Sequence, residues 1–180
     1  MNSKFLLFFF GALFLLSIAG RLLIDIPNVA PVGAFALFAG VYASRLSKWF
    51  LLAPIPLMLL SDIFFGTYEW QVMGSVYASF VGIAGIGFLI SKRKAPGTII
   101  LATLTGSTLF YLTTNFATWA FSPLYPATLE GLVASYTMAI PFFRNTLVGD
   151  ALYVGLFFGA YEYAAYLLRQ RAYRVSPAKA

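Results

Sequence analysis

Six apolar runs recur along this chain, and each is closed by a charge, a proline or a turn before the next begins. They cover residues 5–23, 31–44, 49–65, 72–90, 98–119 and 142–168. About 20 apolar residues cross a bilayer's hydrocarbon core at a rise of about 1.5 Å each. Charged residues make up only 10% of the chain, against about 25% in a soluble domain. The expectation is an all-α integral membrane protein. It would be a six-transmembrane-helix bundle forming a single membrane domain over residues 1–180, too short to add a soluble one.

The charges agree with that count. With six spans, Lys4, Arg45, Lys48, Lys92, Arg93, Lys94, Arg169, Arg171, Arg174 and Lys179 all fall at one end of the bundle. Five or seven spans would scatter them. The positive-inside rule makes that end cytoplasmic, with both termini there, in a multi-pass protein of the cell (inner) membrane. The net charge of +6 therefore orients the chain and meets anionic lipid headgroups. No basic soluble surface exists to carry nucleic acid. Arg21 and Arg144 fall toward the opposite, outer end, together with Asp25, Asp62, Glu69 and Glu130.

The chain has no Cys and no His. That removes disulfides, thiol catalysis, the usual zinc sites, His or Cys haem ligation and the Ser-His-Asp triad. No nucleophile–base pair or metal set is visible, so no enzyme, cofactor or metal is expected.

Local signals refine the spans. The first run follows Lys4 and has small residues at Ala19 and Gly20, the outline of a signal peptide as well as of a span. Pro31 suits the first turn of the second helix. That helix is short, so it would start among headgroups or be shielded by its neighbours. Its many Gly and Ala residues, including Gly33, Ala34 and Gly40, favour close packing. Pro54 and Pro56 should bend the third span near its start. Residues 130–140 are apolar but too short to span, and predict an interfacial or re-entrant helix ending at Pro141.

The fifth span carries a polar stripe on one helical face: Thr103, Ser107, Tyr111, Thr114, Asn115 and Thr118. For Thr103 and Ser107, helix-to-helix bonding competes with cavity lining; for Asn115 and Thr118 cavity lining is favoured. In the sixth span, Gly155 and Gly159 form a GxxxG spacing that should pack closely on another helix and turn Arg144 into the bundle. Arg144 and Asp150 lie about 240° apart around the helix, so Arg144 would need an acid elsewhere. Asp62, at similar depth, is the first candidate, followed by Glu69 and Asp25. Asp150 is deeper, as a proton or cation site or as an acceptor for the fifth-span hydroxyls. Glu162 would pair with a cytoplasmic base.

Helix N-termini of spans two, four and six, with Arg21 and Arg144, would make an outer pocket for a carboxylate or phosphate. The nearby acids fit a mixed polar, zwitterionic or aromatic ligand equally well. Tyr68, Trp70, Trp119 and Tyr125 are candidate walls, or belong to the ordinary interfacial aromatic belt. The expected substrate-binding set is Arg21, Asn28, Asp62, Glu69, Trp70, Asn115, Trp119, Arg144, Asn145 and Asp150.

Several segments together carry a resemblance. They are Arg21-Leu22-Leu23, Pro27-Asn28-Val29-Ala30-Pro31-Val32-Gly33-Ala34, Leu60-Ser61-Asp62, Thr114-Asn115-Phe116, and Pro141 through Asp150 with its Phe-Arg-Asn-Thr core. The chain resembles an uncharacterised bacterial family of small integral membrane proteins of transport type. That family is similar to the substrate-binding S components of energy-coupling-factor (ECF) vitamin transporters. The resemblance covers roughly Arg21 to Gly159. It implies a six-helix, S-component-like fold, a vitamin-like ligand held near the outer face by loops and helix ends, and movement by toppling of the bundle. S components dock on their shared coupling protein through an Ala-x-x-x-Ala pattern in the first helix. That pattern is absent from the first span here and occurs in the second, at Ala30/Ala34 and Ala39/Ala43. Coupling to an ECF-type energising module and solitary action both stay open.

The function expected is a membrane transport protein that binds a small polar, vitamin-like solute in the outer half of the bundle, as S components do in uptake. The alternative is a membrane scaffold or assembly subunit whose buried polar residues only hold helices together.

Overall fold

Prolines and glycines set most of the helix boundaries. A computed structural model describes residues 3–175, so the predicted tail base Lys179 lies outside the described residues. Helix α1 spans Ser3–Leu23. The chain then turns at Asn28, whose φ of +62° is left-handed, a conformation that asparagine tolerates better than most residues. Pro31 leads into α2, Val32–Leu46. A 3₁₀ turn at Lys48–Leu52 precedes α3, Pro54–Phe65. Pro54 stands in the first turn, where a missing N–H costs nothing. The third predicted span thus starts as a 3₁₀ turn and passes through Ala53, at helical φ −59° and ψ −28°, into α3 at Pro54. Gly66, at φ +82°, ends α3. The remaining helices are α4, Trp70–Leu89, α5, Pro96–Phe121, α6, Leu129–Met138, and α7, Ile140–Val175. Thr128 caps α6, its Oγ1 accepting from the Gly131 amide at 3.2 Å. The expected short helix is therefore present. It ends at Met138, however, and Pro141 lies in the first turn of α7.

Helix α2 is the axis of the bundle. It touches α1, α3, α4, α5 and α7, and every residue from Val32 to Ala43 is buried. Its closest partner is α4. A Cβ on Gly40 would overlap the Ala84 carbonyl, and one on Gly87 would overlap the Leu37 carbonyl. Two backbones meet there because neither carries a side chain, as the small residues of this helix predict. Ala34, Ala39 and Ala43 are enclosed by the same packing, so these alanine spacings serve the interior.

The GxxxG spacing of α7 behaves differently from expectation. A Cβ on Gly155 or Gly159 would meet nothing within 4 Å. Both border an open, mainly apolar groove of about 410 Å³ between α5 and α7. The spacing needs a second helix to matter, and among the described residues nothing lies against it.

Among the described residues five segments are long and apolar enough to cross a membrane: Ser3–Leu23, Lys48–Phe65, Trp70–Leu89, Pro96–Phe121 and Ile140–Arg171. Helix α2, with 15 residues, reaches only about 22 Å. Around the outside, Phe8, Leu15, Ile63, Leu101 and Leu152 are exposed, an apolar belt that calls for lipid.

The two ends of the bundle are built differently. At the end where α2 finishes, Phe38, Tyr42, Phe158 and Tyr161 interlock. Their ring centroids lie 4.5 Å apart for Tyr42 and Tyr161 and 5.3 Å for Phe38 and Phe158. Tyr42 donates to Glu162 at 3.1 Å, and Lys94 Nζ lies 4.0 Å from the Tyr42 ring centroid. At this Arg45 end aromatic rings pack between α2 and α7, beside the apolar groove of α5 and α7. The Asn28 end is hollow.

Candidate functional site

Three helices converge on Asp62 at the Asn28 end. Arg21 leaves the last turn of α1 and brings Nη2 to 2.6 Å from Asp62 Oδ1, an ion pair at an angle outside hydrogen-bond geometry. The same guanidinium donates to Ser61 Oγ, and Tyr77 of α4 donates its hydroxyl to Asp62 Oδ2. Ser61 is itself anchored on the Leu57 carbonyl at 2.9 Å. The Arg21 guanidinium also stacks 5.0 Å from the Phe65 ring centroid, which adds cation–π attraction. Asp62 is 5% exposed, so a carboxylate that would be costly alone is paired on both oxygens.

This overturns the expected partner of Asp62. Arg144 is exposed and forms no ion pair among the described residues. It lies in the second turn of α7, at the rim, where a long side chain reaches water or headgroups instead of the bundle. Arg21 takes its place because α1 packs on α3.

Beside this network opens a cavity of about 390 Å³, within the range of small-molecule sites. Its walls include Arg21, Asp25 and Asn28 from α1 and the following loop, Phe65 and Tyr68 around the α3–α4 turn, Val76 and Phe80 of α4, Phe110 of α5, and Thr146 and Asp150 of α7. Burial first, then the Asp62 charge, raises the Tyr68 phenol above its ordinary pKa, so Tyr68 faces the cavity as a neutral group. Asp150 is 7% exposed. Ser107 donates to its Oδ2 at 2.6 Å, which is one of the two roles expected for it. Its Oδ1 accepts no hydrogen bond from any described residue. Gly33, in the first turn of α2, makes this placement possible, since a Cβ there would strike that oxygen.

A second cavity of about 270 Å³ adjoins the first, lined by Asn115, Tyr111, Thr114 and Phe143. Asn28, Phe110 and Thr146 border both. Asn115 therefore lines a cavity, as expected, while its amide bonds back to the Tyr111 carbonyl at 2.7 Å. Thr118 does not line either cavity; its hydroxyl bonds to the Thr114 carbonyl at 2.8 Å.

Other expected site residues have local tasks. Asn145 donates to the Pro27 carbonyl at 3.0 Å, which holds the Asn28 loop against α7. The Trp119 indole donates to the Pro126 and Thr128 carbonyls at 3.1 and 3.2 Å, pinning the loop before α6. Glu69 is the residue preceding α4, and Trp70 is 76% exposed; neither reaches the cavities. Tyr125 is likewise absent from their walls. Glu162 pairs with Arg169 at 3.7 Å, in keeping with the expected pairing with a base at that end. Sequence reasoning missed Tyr77, Phe80 and Phe110. Tyr77 was foreshadowed only by the second donor that a buried Asp62 requires.

An all-helical bundle with long apolar helices, a lipid-seeking belt and a hollow polar end defines a helical membrane protein. The chain belongs to a family of unknown function (DUF6580), whose match covers residues 1–175. No curated protein and no solved structure matches it significantly.

Proposed function

We propose that this is a membrane transport protein that holds a small polar, vitamin-sized solute in the cavity at the Asn28 end, in the manner of an S component. The observation that carries this reading is the cavity of about 390 Å³ with the buried Asp150 carboxylate on its wall. A pocket of this size, mostly apolar with a few polar groups converging on it, is the setting that small-molecule sites have. In this reading α2 counts as a sixth, shielded crossing, the Arg45 end is cytoplasmic, and no catalytic step occurs. Docking of an energising module through the alanine spacings of α2 is not part of the proposal, because Ala34, Ala39 and Ala43 are enclosed.

One group of contacts favours the scaffold reading. Arg21, Asp62 and Tyr77 join three helices and satisfy one another, and Asn145 and Trp119 fasten loops. The two readings separate in a screen of purified protein against vitamins and nucleobases by native mass spectrometry and thermal shift. Val76→Trp, which fills the cavity, is the control. Transport predicts a ligand bound by wild type and lost in Val76→Trp. Ligands that bind both equally, or none at all, leave the scaffold.

A further inference from the structure

Resting on that solute-binding reading, we propose that the cavity selects a solute carrying a positively charged nitrogen on an apolar or aromatic body, with the Asp150 carboxylate as its counter-ion. The charges on the cavity wall are Arg21, Asp25 and Asp150. Arg21 is already neutralised by Asp62 at 2.6 Å. Arg144, the other base expected at this end, is exposed and absent from the wall. The charges left without a partner are therefore both acidic. Asp25 is exposed at the mouth, and Asp150 is buried.

Asp150 is the more telling of the two. Its side chain is more than nine-tenths buried and lines the cavity. One oxygen takes the Ser107 hydroxyl, while the other has no protein donor among the described residues. Within 4 Å no described base stands against it. A carboxylate within a membrane protein's interior is costly unless something pairs with it. A hydroxyl offsets part of that cost, and a cation in the cavity would offset more. Glycine at position 33 keeps clear the space that the free oxygen occupies.

The remaining wall indicates what the cation is attached to. Phe80, Phe110 and the neutral phenol of Tyr68 present ring surface, which attracts both aromatic bodies and cationic nitrogen. A bare hard metal ion would take six or more oxygens. No group of three or more metal-binding side chains exists among the described residues. An anionic solute would meet two unpaired acids.

The test uses full-length protein in lipid nanodiscs at pH 7, titrated with 2-phenylethylammonium, 2-phenylethanol and phenylacetate, with binding read by saturation-transfer NMR. Val76→Trp supplies the background from membrane partitioning. The expected result is that the ammonium probe binds at least about tenfold tighter than the alcohol, and the carboxylate weakest. Asp150→Asn, which keeps an acceptor for Ser107, should erase the preference without abolishing binding of the alcohol. The comparison of three probes on wild type stands even if that variant does not fold. Equal or tighter binding of the alcohol or phenylacetate overturns the charge selection and leaves the solute site intact. So does an ammonium preference that survives in Asp150→Asn. No cavity-dependent binding by any probe overturns this inference and the solute-binding reading together.

Discussion

Arg21 and Asp62 face each other at 2.6 Å across the contact of α1 with α3. This pair, with Tyr77 behind it, closes one side of the hollow end. Removing one partner would leave a buried charge without compensation. Asp62→Ala should lower stability by about 3 kcal/mol, read as a loss of melting temperature in detergent. Arg144→Ala, at an exposed site, should change stability by no more than about 0.5 kcal/mol. Equal losses in the two variants would mean that Arg144, not Arg21, carries the buried pair.

Glycines in this bundle should divide sharply by position. Gly40→Ala drives a methyl group into the Ala84 carbonyl, and backbone cannot swing aside as a side chain can. A destabilisation of about 1–3 kcal/mol is expected. Gly155→Ala meets open space and should stabilise α7 by up to about 1 kcal/mol through helix propensity. Thermal unfolding of the two variants side by side checks this. A large loss at Gly155 would reveal a helix packed against α7 from another molecule.

Lys94 should titrate unusually low for a lysine. Burial first, and then the Arg45 charge, bring its amine down to about 8. Folding thus favours the neutral amine, and between pH 8 and the ordinary lysine range the native chain holds fewer protons than the unfolded one. The Lys94 contribution to stability therefore increases as pH rises through that window. Brief acylation at pH 8 followed by peptide mass spectrometry should label Lys94 ahead of Lys92. Preferential labelling of Lys92 would contradict the low value.

Asn28 occupies a left-handed backbone position at φ +62°. Asn28→Gly should fold at least as well. Asn28→Val should cost about 1–2 kcal/mol, because a β-branched residue is strained there. Chemical denaturation of both variants reads the difference.

Much of the helical layout was legible because the responsible physics is local. Pro31, Pro54 and Pro96 stand at or beside helix starts, and the apolar runs between them become α1 to α5 with shifts of a few residues. The polar stripe of α5 also pointed correctly to Ser107 beneath Asp150. What could not be read was rotation of one helix relative to another. Arg21 and Arg144 are both predicted at the outer end, but Arg21 is turned onto Asp62 by α1 packing on α3, while Arg144 is exposed. Gly40 and Gly155 look alike in sequence for the same reason. One meets α4 and the other meets nothing among the described residues. The cavity wall drew Phe80 and Phe110 from apolar runs where nothing distinguished them from lipid-facing residues.

The enclosure of α2 has a consequence for biogenesis. The helices α4, α5 and α7, which pack around it, all follow it in the chain. At about 22 Å it falls short of a hydrocarbon core of about 30 Å, so membrane insertion alone holds it poorly. Its lodging is complete only when α7, which follows every other helix that touches it, closes over it. The same closure delivers Asp150 to Gly33. The hollow end thus forms only once α7 is in place, and a chain truncated before α7 would leave its axis partly uncovered and its site without Asp150.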